Sequence, residues 1–202
     1  PIAGVFFALE VILGHYALHA FAPIVISSVT AAIISRIHFG DFPAFNIPDY
    51  QIASFLEFPA FLLLGAVSAL VAIILIKSIF FIDDIANKLP IPTWARPPIG
   101  GLAVGLIAIL CPFILGAGYG TTDAALKNII SIDFLCILIV AKIAATSISL
   151  AFRYGSGIFS PTLLLGAVVG STFGYIATLA FPDLASNNGL YAIVGMAAVS
   201  SA

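Results

Sequence analysis

The segment best suited to chemistry is a glycine-rich turn that leads into an apolar stretch, Gly155-Ser156-Gly157-Ile158-Phe159-Ser160-Pro161. Proline is favoured at the first position of a helix, because its φ is preset and the N–H that it lacks would have no partner there. We therefore predict that a helix begins at Pro161. Its N-terminus carries about half a positive charge.

This arrangement could bind an anion without a charged side chain in contact. Gly155 and Gly157 allow a tight turn and a close approach of the backbone to an ion, and a helix N-terminus favours negative charge. Binding by dipoles suits transport, because a permeating ion must leave its site as well as occupy it. The alternative, from the residues alone, is a glycine-hinged helix start without a ligand.

A more distant alternative is an intramembrane serine protease that pairs Ser156 with a histidine. The helix predicted from Pro161 would hide that serine, and no histidine lies at the centre of a predicted helix. His15 and His19 share a helix face, but no third ligand lies near them in the sequence. We therefore predict that the protein is not an enzyme and holds no metal and no cofactor.

Among the charged residues that lie in or beside apolar runs, Glu10, Lys142 and Arg153 are candidates for a role. An ionisable group inside a bilayer is a functional candidate because it is costly there, although Glu10 could also tie its helix to a neighbour. Lys142 and Arg153 could attract anions. Lys142 could equally extend its amine to the membrane surface or pair with a carboxylate.

Composition identifies the surroundings that position these groups. Of the 202 residues, 62% are hydrophobic and 8% are charged, whereas soluble domains carry about 25% charged residues. Lipid must therefore surround much of the chain. The net charge of -2 and the lack of a basic patch argue against a nucleic-acid partner. Apolar runs near the ~20 residues needed to span a bilayer cover residues 17–34, 55–82, 99–117 and 134–150.

Breaks between these runs predict a multi-pass bundle of about six or seven helical segments, some of them spanning. The segment 158–181 follows the run 134–150 almost directly. A helix that begins inside the bilayer needs a ligand or a water-filled cavity at its free N–H groups. Gly166, Gly170 and Gly174 predict close packing of this helix on a neighbour. The basic residues are too thinly spread to give an orientation.

Gly157-Ile158-Phe159-Ser160-Pro161 fits the G-x-F-x-P signature of the CLC family of voltage-gated chloride channels and proton-coupled chloride exchangers. Three further stretches resemble that family's motifs in the same order: residues 1–10 (PIAGVFFALE), 112–120 (PFILGAGYG) and 190–202 (LYAIVGMAAVSSA). The resemblance covers the middle and most of the second half of a CLC membrane domain. It implies that residues 1–202 are part of one such domain, truncated at both ends.

The resemblance also implies a fold and a role for each motif residue. The fold would be an all-α integral membrane protein, an inverted-repeat bundle of tilted and broken helices. It would assemble as a homodimer in the lipid bilayer of the cell membrane, with chloride as the transported ligand. The backbone N–H groups of Ile158 and Phe159 would bind chloride. Gly155 and Ser156 would support the turn, and Ser160 and Pro161 would complete the motif. Another small anion, fluoride or nitrate, could use the same site.

One position bears on coupling to protons. In the family's exchangers a glutamate on the proton route commonly follows the first motif's glutamate, which here is Glu10. Val11 stands at that place and cannot carry a proton. The resemblance therefore implies an uncoupled, channel-like pathway. The alternative is an exchanger, or antiporter, whose protons travel by another residue or by water.

Overall fold

The computed structural model describes residues 2–9, 13–14, 18–41, 45, 55–154, 157–182 and 187–201. These ranges hold eight α-helices: α1 (Ile2–Phe7), α2 (Leu18–Phe39), α3 (Phe58–Lys88), α4 (Arg96–Leu110), α5 (Tyr119–Leu126), α6 (Ile132–Ala151), α7 (Phe159–Ala180) and α8 (Asn188–Ser201). Five helical stretches are long and apolar enough to cross a membrane, namely His19–Phe39, Phe58–Lys88, Thr93–Leu110, Ile132–Ala151 and Phe159–Ala180.

The apolar runs predicted from the sequence correspond to α2, α3, α4 and α6, but the third run ends earlier than expected. Helix α4 stops at Leu110, and Pro112–Ile114 forms a short 3-10 turn. Proline has no N–H to continue the helix. Gly116 and Gly118 then adopt left-handed φ values of 64° and 78°. Residues with a Cβ atom rarely adopt this conformation. The chain therefore turns and starts the short helix α5.

The chain divides into two compact units, Pro1–Ala44 and Phe45–Ala202. In the first unit α1 packs against α2. A Cβ atom on Gly4 would lie 3.3 Å from Ser28 Oγ, so this glycine allows the two helices to approach closely. An exposed ion pair joins Arg36 Nε to Asp41 Oδ1 at 3.1 Å.

The second unit is built around the packing of α7 on α8. A Cβ atom on Gly166 would lie 2.5 Å from Gly195 O, and one on Gly170 would lie 2.2 Å from Tyr191 O. Real Cβ atoms cannot approach backbone so closely, so only glycine permits this contact between helices. The predicted glycine face of α7 is therefore confirmed, and its partner is α8.

Helix α6 lies between α3, α4 and α7. One apolar cluster joins α4, α6 and α7 through buried residues that include Ala108, Leu135, Leu138 and Leu164. A second joins α3, α7 and α8 through Leu64, Leu165 and Tyr191. These contacts hold the start of α7 beside the middle of α6, where the candidate site lies.

Candidate anion-binding site

Helix α7 begins two residues earlier than predicted. Its first residue is Phe159, with Ile158 as the N-cap at φ -83° and ψ -27°. Pro161 is thus the third residue of the helix, and the prediction that it is the first was wrong. Proline is tolerated throughout the first turn, because these N–H groups have no acceptor within the helix. Thr162 N–H makes the early helical bond, to Ile158 O at 3.1 Å. An isoleucine N-cap offers no side-chain acceptor to cover the positive end of the helix.

A cavity of about 390 Å³ opens beside this helix start. Three of the predicted site residues, Gly157, Ser160 and Pro161, line it. Ile158 and Phe159 lie between these residues in the chain, but they are exposed and do not line the cavity. The remaining lining residues are Val104, Ile114, Leu115, Gly116, Ala117, Lys142, Ala145, Thr146, Ser149 and Tyr154.

Lys142 projects from α6 into the wall of this cavity and is only 4% exposed. Its Nζ donates hydrogen bonds to Ile114 O at 2.8 Å and to Gly116 O at 3.4 Å. In the part of the chain that the structure describes, no carboxylate lies within 4.0 Å of this amine. Lys142 therefore neither reaches the surface nor forms an ion pair there. Its positive charge is neutralised only in part, by carbonyl dipoles.

Side chains from three helices fix the segment 113–117, which forms one wall of the cavity. Ser160 Oγ donates to Ala117 O at 2.7 Å, and Thr121 Oγ1 donates to Phe113 O at 3.0 Å. Together with Lys142 they satisfy four carbonyl groups of this turn. The hydroxyl hydrogen of Ser160 is used in its bond to Ala117, so the same hydrogen cannot also bind an anion.

Comparison of the sequence with known proteins identifies the family of this chain. The family model described as voltage gated chloride channel matches residues 1–202. The chain belongs to this family. It is 33% identical to chloride channel protein CLC-e of Arabidopsis thaliana, over 98% of this chain and 31% of the relative. It is 30% identical to a putative chloride channel protein, ClcB-like, of Ralstonia nicotianae, over 100% and 47%.

The H(+)/Cl(-) exchange transporter ClcA of Vibrio cholerae is 28% identical, over 100% of this chain and 44% of the relative. The chain thus spans less than half the length of these three relatives. Membership confirms the predicted CLC resemblance and the all-α membrane fold. Residues 155–156, with Gly155 and Ser156, and residues 10–11, with Glu10 and Val11, lie outside the described residues, as does His15.

Gly157 has room around it in this member of the family. A Cβ atom there would meet nothing within 4 Å, and its φ is not in the left-handed region. Neither its own φ nor packing among the described residues therefore requires glycine at 157. What its missing side chain provides is open space at the start of α7.

Sequence reasoning missed a buried polar pair in the second unit. Tyr191 Oη donates to Glu57 Oε1 at 3.0 Å, and both side chains are almost completely buried. They line a separate apolar cavity of about 460 Å³ that shares no residue with the first. The available signal was a glutamate two residues before Pro59, at the start of a long apolar run. Its partner lies 134 residues away, which no local pattern reveals.

Proposed function

We propose that this chain forms part of a chloride pathway and that chloride binds at the start of α7, through the backbone N–H groups of Ile158 and Phe159. The observation that carries this proposal is the shared cavity. It brings the N-terminus of a 22-residue helix together with the buried amine of Lys142. Both supply positive potential.

The chemistry suits an ion that must pass through. The amine of Lys142 hydrogen-bonds to carbonyl groups, so its charge acts on the cavity while part of its donor capacity is already used. An anion held by helix dipoles and a partly screened cation binds without the full strength of a direct ion pair. Fluoride or nitrate could use the same features, and the names of the relatives favour chloride.

The sequence also bears on whether chloride transport is coupled to protons. Relatives in this family are named both as chloride channels and as a proton–chloride exchange transporter. Val11 stands where the family's exchangers commonly carry a proton-route glutamate, so we assign this chain an uncoupled pathway. Its activity is transport and not enzymatic catalysis. The working form would be a homodimer in the bilayer of the cell membrane.

Gly157→Val tests the site. The valine side chain would enter the open space at the start of α7 without a clash from its Cβ, so we expect chloride binding to be abolished while the melting temperature changes little. The measurement is a chloride titration of the intact protein by calorimetry. Gly65→Val is the matched control, because a Cβ on Gly65 in α3 also meets nothing within 4 Å. Wild-type chloride affinity in Gly157→Val would refute the site.

A further inference from the structure

One end of the second unit gathers three basic residues that are far apart in the sequence. Helix α3 ends at Lys88, α4 begins at Arg96, and Arg153 follows the end of α6. Arg96 Nη1 donates to Asn87 Oδ1 at 2.9 Å, which joins α4 to the last turn of α3. Ala86, Ala151 and Phe152 form a buried cluster between α3 and α6.

Contacts between α4 and the residues after α6 complete this end. A Cβ atom on Gly101 would lie 3.2 Å from the ring of Tyr154, and one on Gly100 would overlap Phe152. The chain on both sides of Arg153 is thus packed against the first two turns of α4. Lys88, Arg96 and Arg153 therefore lie at the same end of the helices, and we call them the basic end.

The basic end keeps an excess of positive charge. Its nearby carboxylates are Asp83 and Asp84, in the last turns of α3, and Asp83 accepts a hydrogen bond from Asn87 Nδ2 at 3.0 Å. Among the described residues neither aspartate forms an ion pair with a residue of the basic end. The three cations and two carboxylates leave a formal charge of 3 - 2 = +1.

Exposed aromatic residues lie close to the basic end. Trp94, between α3 and α4, is 79% exposed, and Tyr154 is 53% exposed. Tryptophan and tyrosine are enriched where a bilayer meets water. Phe80 and Phe81, on the last turns of α3, are also exposed and fit contact with acyl chains below that level.

Arg153 has a conformation that its residue type disfavours. Its φ is 55°, in the left-handed region that a glycine usually occupies at the end of a helix. The bond from Tyr154 N–H to Ser149 O at 2.8 Å fits such a helix ending. Glycine would adopt this φ without strain, so the backbone gives no reason for an arginine. Its exposed cationic side chain is the feature that glycine would lack.

We propose that the basic end binds the headgroups of anionic phospholipids. Guanidinium groups match the geometry of phosphate oxygens, and basic residues beside membrane helices are attracted to anionic lipid surfaces. Arg153 and Arg96 would contact the phosphate, with Lys88 adding charge and Trp94 packing against the glycerol region. Neither arginine lines the anion cavity, although Tyr154, the residue after Arg153, does.

The test uses the intact protein in a neutral detergent and measures its melting temperature against added short-chain phosphatidylglycerol or phosphatidylcholine. We expect saturable stabilisation by phosphatidylglycerol and little by phosphatidylcholine. Arg153→Gly should weaken the apparent phosphatidylglycerol affinity about fivefold, the effect of one basic residue near an anionic surface. Without lipid this variant should be as stable as wild type or more so, because it relieves the left-handed strain. A loss of lipid affinity is then not a loss of folding.

Two further variants make the result specific. Arg153→Lys keeps the charge but loses the guanidinium geometry, so its affinity should lie between those of wild type and Arg153→Gly. Lys127→Gln removes a cation next to the start of α6, at the opposite end of that helix, and should have no effect. Equal stabilisation by both lipids, or unchanged phosphatidylglycerol affinity in Arg153→Gly, would overturn the proposal. So would an equal loss of affinity in Lys127→Gln, which would indicate an effect of net charge alone.

Discussion

Replacing Lys142 by glutamine removes the one charged side chain that lines the anion cavity in the described part of the chain. Glutamine can still donate a hydrogen bond toward the carbonyls of Ile114 and Gly116, so the change acts mainly on charge. A sphere with the cavity's volume of about 390 Å³ is about 9 Å across, which sets the scale of the distance between the amine and an ion inside it. At an effective dielectric constant of about 20, two unit charges at that distance attract by about 1.8 kcal/mol.

This energy corresponds to about a 20-fold weaker chloride affinity in Lys142→Gln. The assay is a chloride titration of the intact protein by calorimetry, with gluconate replacing chloride so that ionic strength stays constant. Lys77→Gln is the matched control, because Lys77 lies in the membrane-length helix α3 but does not line the cavity. We expect its chloride affinity to stay near that of wild type.

Two results would refute this reasoning. A chloride affinity in Lys142→Gln within about twofold of wild type would mean that the amine contributes less than about 0.4 kcal/mol at the site. An equal decrease in Lys77→Gln would mean that the total charge of the protein matters and the position of Lys142 does not. A chloride affinity in Lys142→Arg close to that of wild type would support a role for the positive charge.

The remaining predictions concern packing and coupling. Gly170→Ala should lower the free energy of unfolding by about 1–3 kcal/mol, because the new Cβ would lie 2.2 Å from Tyr191 O, a backbone atom of α8. Gly65→Ala should not lower the free energy of unfolding, because a Cβ there meets nothing within 4 Å. Equal melting temperatures of the two variants would contradict the close α7–α8 contact. Since Val11 carries no proton, intact protein in liposomes with a chloride gradient should release chloride without stoichiometric proton movement. Coupled movement of protons, recorded as external pH, would identify an exchanger.

The sequence was sufficient to predict the membrane environment, most helix positions and the family. Each of these depends on local composition or on residues close together in the chain. A charged fraction of 8% requires lipid whatever the fold, and the runs that became α2, α3 and α6 show their apolar character residue by residue. The glycine spacing in α7 likewise predicted a close helix contact, because side-chain size on one helix face follows directly from sequence.

The residues at which helices begin and end were harder to predict from the sequence. Proline is compatible with several positions in the first turn, so Pro161 could not fix the start of α7 to one residue, and the helix begins at Phe159. The turn that leads from the end of α4 into α5 uses two glycines in left-handed conformations, Gly116 and Gly118. Sequence shows that such conformations are possible at glycine but not that they are used.

Partners distant in the chain were decided by tertiary structure alone. The role of Lys142 was open between the surface, a carboxylate and the anion site, and folding placed its amine against the carbonyls of the 113–117 turn, beside Gly157 and Ser160. The pairing of Glu57 with Tyr191 and the gathering of Lys88, Arg96 and Arg153 at one end arose in the same way. The sequence determined which groups the chain carries and which segments are long and apolar enough to cross a membrane. Only packing between helices decided which groups meet, because the free energy of a charge depends on its neighbours in space.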